Sequence, residues 1–314
     1  MALLYSPERS RTKFFNHDFS LGILALDAVS NLYTREAAAT RADKVRIDDR
    51  PKVEVHPSDA GRAVVIVDIG LLQDAEKVKN RVGPVFERIG PVYVMKHSHE
   101  VQANRDAELE ILAAEEGRDV VTISNSKGGM DRVRMMSDPE FIKEHGFTSF
   151  SSYDSVPFLR RHIRLGGKVM GIGGLLLPDS HLLASRYSDH MVDEEKEVGE
   201  QFVRGTTTES YYEARRDIKS LLFSSSPADV AIRAAFSNDN IGRIITVSSA
   251  NDRMVDTKKS NKWLQAVTGR HIPHIFDPFA PHKITQVLQT RQNYNYVRLK
   301  NILRVITNLF PYNK

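Results

Sequence analysis

Residues 119–130 read as a buried strand, then Ser124-Asn125-Ser126-Lys127-Gly128-Gly129, then a helix. A serine hydroxyl is a weak nucleophile until a base takes its proton. A sharp strand-to-helix turn, the nucleophile elbow, lifts the hydroxyl clear of the sheet. The turn is so tight that only small residues fit two positions before and two positions after the serine. Gly128, followed by Gly129, meets the later requirement, and Ser124 stands at the earlier position where glycine is usual. Ser126 is therefore the candidate nucleophile.

Other chemically suggestive residues carry less. His97 and His99 are separated by one residue, but a metal site needs further ligands and none stands out in the sequence. The glycines Gly166-Gly167 and Gly171, Gly173 and Gly174 do not form a phosphate loop or a dinucleotide fingerprint. Gly171–Gly174 is expected to let the chain pass close under the catalytic face. With no cysteine in the chain, disulfides, thiolate metal sites and a cysteine nucleophile are excluded.

These residues need elements to hold them. Short apolar runs occur at Ala63–Ile69, Val92–Met95, Val120–Ile123, Val169–Ile172 and Ile244–Val247, with a weaker one at His274–Phe276. Runs of this length suit strands buried on both faces. Helical periodicity lies between them at Ala75–Ile89, Gln102–Glu116, Met254–Thr268 and Pro281–Thr290. That alternation predicts an α/β fold, a mostly parallel central sheet flanked by helices. Residues 44–56 alternate apolar and polar about Asp48-Asp49-Arg50-Pro51 and predict a β-hairpin. Residues 1–43 read as an N-terminal arm and helix. The apolar run Phe19–Leu26 is short, late and flanked by Asp18 and Asp27, so a packed helix is expected there, not a signal peptide. More than sixty residues separate the run ending near Leu177 from the one at Ile244, far more than a plain crossover needs. A helical lid inserted at 178–240 into a core of 44–177 and 241–314 accounts for the excess.

The strand, the Ser-Lys-Gly-Gly turn and the order of elements resemble the α/β-hydrolase fold family over roughly residues 44–290. The resemblance implies a triad in chain order serine, acid, histidine. After the run Ile244–Val247, Asp252 in Ser248–Val255 resembles the family's acid, with Asp256 as the fallback. On the loop after the last strand, Phe276–Lys283, His282 takes the histidine's place. The family's oxyanion hole is built from two backbone N–H groups, which implies Lys127 and, in Asp68-Ile69-Gly70-Leu71-Leu72, Leu71. Ile69 stands where many members have histidine. The implied activity is cleavage of a carboxylic ester or related acyl bond by an esterase or lipase-like serine hydrolase. Amide, thioester or carbon–carbon hydrolysis, acyl transfer, or a non-catalytic binding role on the same scaffold remain open. No metal or organic cofactor is implied.

Lys and Arg number 44 against 40 Asp and Glu, a net charge of +4 that makes no case for a nucleic-acid partner. A small-molecule or lipid-like acyl substrate is the expected partner. No run of about 18 apolar residues suits a membrane-spanning helix, and a cytoplasmic location is expected. Residues 291–310 carry basic residues and no acid around an apolar stripe, which suits packing on the domain and permits contact with a membrane surface.

Overall fold

The computed structural model describes residues 50–70, 73–138, 149–153, 160–165, 217–223, 229–236, 243–249 and 255–277, with 140, 141, 143, 168 and 227 besides. Within these, the apolar runs become strands of one sheet. In chain order they are β1 (Lys52–His56), β2 (Ala63–Asp68), β3 (Val92–Lys96), β4 (Asp119–Asn125), β5 (Ser149–Tyr153), β6 (Arg243–Ser249) and β7 (His274–Asp277). The spatial order is β1-β3-β2-β4-β5-β6-β7. Every pairing is parallel except β1 with β3. The second arm of the expected hairpin is thus β1, held antiparallel on β3, and its first arm lies outside the described residues.

The helices are α1 (Ala75–Phe86), α2 (Val101–Ala114), α3 (Lys127–Met136), α4 (Asp229–Phe236) and α5 (Thr257–Thr268). Successive side chains of β2 point to opposite faces, and both faces are apolar. Ala63, Val65 and Val67 pack with Ala75, Val78, Val82 and Phe86 of α1. Val64 and Ile66 pack on the other face with Ile111 of α2. All six residues of β2 are buried, and each Val or Ile so placed contributes roughly 1.5–3 kcal/mol. Beyond α2, Val133, Met135 and Met136 of α3 join Ile232 of α4, Ile244 of β6 and Leu264 and Val267 of α5 in a second cluster. The result is a sheet with helices on both sides, which puts the C-terminal ends of β2, β4, β6 and β7 at one edge.

One strand escapes an apolar-run criterion. β5, Ser-Phe-Ser-Ser-Tyr, fills the place between β4 and β6. The expected strand at Val169–Ile172 lies outside the described residues, as do residues 1–49 and the expected helix Pro281–Thr290. Helix α4 and the helical residues 217–223 fall within the stretch expected as a lid. Among the described residues no helix is long and apolar enough to cross a membrane.

Candidate active site

β4 delivers the chain to Ser126 and α3 carries it away, so the serine stands at the turn between a central strand and a helix. Its backbone adopts φ 48° and ψ −116°. Among the described residues it is the one non-glycine with positive φ. A side chain in such a region costs about 1–3 kcal/mol and persists where surrounding structure enforces it. Here the enforcement comes from both flanks: β4 is locked between β2 and β5, and α3 is buried along nearly its whole length. Ser126 itself is partly exposed at the tip.

Two glycines make the turn possible. A Cβ at Gly128 would lie 2.6 Å from the Asp68 carbonyl oxygen and 2.8 Å from that of Ile69, so the first turn of α3 runs directly against the end of β2. A Cβ at Gly70 would lie 3.2 Å from the Ser126 Cβ. The loop after β2 therefore passes beside the serine, and the next residue along it is Leu71. Gly70 N–H donates to the Gln73 side chain at 2.6 Å, which closes that loop into a tight bend.

Beneath the turn lies a buried polar cluster that joins Ser124 and His97 to three residues not singled out as functional from the sequence, Asp68, Arg132 and Glu108. Asp68, at the end of β2, pairs in register with Ser124 of β4. Ser124 Oγ donates to Asp68 Oδ2 at 2.7 Å. Arg132 of α3 grips the same carboxylate with two donors, Nε to Oδ2 at 2.8 Å and Nη2 to Oδ1 at 2.7 Å. Its remaining arm, Nη1, donates to Glu108 of α2 at 2.6 Å. His97, just past β3, brings Nε2 to 3.0 Å from Asp68 Oδ1. All five residues are buried. Burial alone would push the Asp68 carboxyl up, but Arg132 and then His97 overrule it and hold it well below the usual carboxylate range. Burial works against the charge on Arg132 as well, and Asp68 and Glu108 outweigh it, pushing its pKa up.

Lys127, next to the serine, is buried too. Its ammonium contacts Asp131 one helical turn on and reaches Asp217 Oδ1 at 3.3 Å. Burial would pull the lysine down, but Asp131 and Asp217 outweigh it and push it up. Its side chain is thus spent on structure.

Of the residues expected from the sequence, Ser126 and Lys127 share this turn. Leu71, Asp252 and His282 lie outside the described residues. Asp252 follows the end of β6 by three residues and His282 follows the end of β7 by five. Both strands run parallel to β4 and end at the edge where Ser126 stands. The fallback acid, Asp256, is the N-cap of α5, where its side chain accepts from the Lys259 N–H at 3.1 Å. His97 is engaged with Asp68, and among the described residues no group of three or more His, Cys, Asp or Glu could hold a metal. Asp68, Arg132 and Glu108 were missed because residues 24 and 64 apart meet only once the register is known.

No family model and no curated sequence relative matches the chain. Solved structures do. An N-acyl homoserine lactonase is similar at TM-score 0.56 and 12% identity, over 86% of this chain and 97% of that one. The naproxen esterase of Bacillus subtilis is similar at TM-score 0.54 and 11% identity, over 82% and 87%. A meta-cleavage product hydrolase is similar at TM-score 0.54 and 13% identity, over 82% and 94%. The sheet order, the strained serine at the β4–α3 turn and these likenesses agree: the chain has the α/β-hydrolase fold.

Proposed function

We propose that the protein is a serine hydrolase of the esterase or lipase-like kind, cleaving a carboxylic ester or related acyl bond of a small or lipid-like substrate. Ser126 is the nucleophile, His282 the base and Asp252 the acid that sets the tautomer of the imidazole. His282 takes the Ser126 proton as the oxygen attacks the carbonyl. The N–H groups of Leu71 and Lys127 receive the oxyanion, and His282 protonates the leaving group. It then activates water to release the acyl group from Ser126. The observation that carries this reading is the Ser126 backbone, φ 48°, at a strand-to-helix turn with Gly70 pressed against it. A turn with no function has no reason to keep a serine in that conformation when glycine would hold it without strain.

A fluorophosphonate tests the assembled site, because it reacts with a serine only where a base and an oxyanion hole act together. One label is expected on the peptide containing Ser126, with none in Ser126→Ala and severe slowing in His282→Ala. A well-folded protein that never labels is instead a binding protein on this scaffold. The structurally similar proteins include a lactonase, an esterase and a meta-cleavage product hydrolase, so a panel of esters, lactones, amides, thioesters and β-diketones should follow a positive result.

A further inference from the structure

The departure of Ser124 from glycine has a physical partner. In register β2 and β4 place Asp68 and Ser124 side by side, and the Ser124 hydroxyl donates to the Asp68 carboxylate at 2.7 Å. That carboxylate is also the target of the two-pronged grip of Arg132 and the contact from His97. Its members come from each element that builds the catalytic edge: β2, which feeds the loop of Gly70 and Leu71, β4 and α3, which flank Ser126, and β3 beside them. The Asp68 carbonyl oxygen, meanwhile, lies against Gly128. A fully buried, charge-assisted cluster is stiff, since each member is expensive to leave unpaired. A structure that needed only stability could fill this volume with apolar side chains at no loss.

We propose that Asp68, clamped by Arg132, Ser124 and His97, is the positioning residue that sets the spacing between Ser126 and the oxyanion-binding loop, and that Ser124 replaces glycine to complete this clamp. The clamp touches no substrate. It acts through the Leu71 and Lys127 N–H groups, and so rests on the nucleophile reading above. Oxyanion donors act mainly on the transition state, so loosening them lowers kcat and leaves KM nearly unchanged.

The test uses three variants of the full chain, Ser124→Ala, Ser124→Gly and Asp68→Asn, with thermal melting, fluorophosphonate labelling rate, ester kinetics and hydrogen exchange of peptides spanning 66–74 and 122–130. In each, labelling and kcat should fall tenfold or more with KM within about twofold, and both peptides should exchange faster. Ser124→Gly is the decisive variant, because it supplies the small residue common at this position yet removes the hydroxyl. If smallness were the whole role, it would match the wild type. Should Asp68→Asn fail to fold, the two Ser124 variants decide alone. Wild-type labelling rate and kcat in both folded Ser124 variants would overturn the clamp, whatever happens to the melting temperature. If the wild-type protein never labels, the nucleophile reading fails, and the clamp is judged by hydrogen exchange: faster exchange of both peptides supports it and unchanged exchange overturns it.

Discussion

Asp256 and Asp252 stand four residues apart, and the sequence offers either as the acid. Asp256 is already employed: it caps α5 through the Lys259 N–H and its own backbone N–H donates to the His162 carbonyl at 2.9 Å. The two aspartates should therefore separate cleanly by variant. Asp256→Ala should lower stability by about 1 kcal/mol, the usual worth of an N-cap, and leave kcat nearly intact. Asp252→Asn should leave the melting curve in place and lower kcat by about ten-thousand-fold, as a mis-set imidazole does in serine proteases. A large kcat loss in Asp256→Ala instead would move the acid to the helix cap. At this scale the sequence was readable where identity alone carries the signal. The strand-to-helix turn at Ser126 is announced by its own neighbours, because the requirement for small residues is local. Ser124 reads in the sequence only as a departure from glycine, since its partner Asp68 is 56 residues away and only the β2–β4 register joins them.

Among the described residues, elements were readable where burial on both faces writes a continuous apolar run, as in β2 (Ala63–Asp68), and β5 was lost because Ser149–Tyr153 writes none. The turn after β5 was equally hidden. Arg160–His162 forms a single 3-10 turn, Ile163 bridges to Val255, and His162 Nδ1 lies 3.2 Å from Ser260 Oγ on α5. The His162 ring packs against Trp263 at 5.1 Å, and Arg161 pairs with Asp229 of α4 at 2.7 Å. This strap holds the start of α5 just after the segment that contains Asp252. Burial, then the charges of Arg161 and Lys259, push the His162 imidazole down to about 4, with Asp256 and Asp229 opposing weakly. The unfolded chain takes up that proton near pH 6.5. The strap's contribution is therefore complete above about pH 6.5 and is lost progressively as pH falls toward 4, because only the unfolded state binds the proton across that window. Melting temperature measured from pH 7.5 to 4 should fall for the wild type, and more gently for His162→Gln, whose side chain does not titrate. Parallel curves for the two proteins would mean that other groups set the acid limit.

For the molecule as a whole, the arithmetic of spacing is the sequence signal for an inserted stretch, because more than sixty residues between consecutive apolar runs exceed any simple crossover. What spacing does not convey is where such a stretch is anchored. Its later part is fastened to the helix that carries the elbow. Asp217 pairs with the buried Lys127, the Ser220 hydroxyl and carbonyl accept from Arg134, and Leu221 packs on the cluster of Met130, Ile163 and Val255. Farther on, Ile232 of α4 is buried with Val133, Ile244 and Leu264. An excision that removed 217–223 would strip a buried lysine of a partner beside Ser126, and the loss of activity would say nothing about a lid. Replacing 190–209 with a short Gly/Ser linker avoids that confusion, since it spares Asp217, Ser220 and Leu221. If the stretch shapes the acyl pocket, the variant should fold, label at Ser126 with a small fluorophosphonate, and shift its ester chain-length preference by tenfold or more in relative kcat/KM. Selectivity that stays within twofold of the wild type, in a variant that still labels, would remove the lid role and leave the stretch as a brace for α3. The separation works because labelling reports the elbow and its oxyanion donors, whereas chain-length preference reports whatever walls the acyl group beyond them.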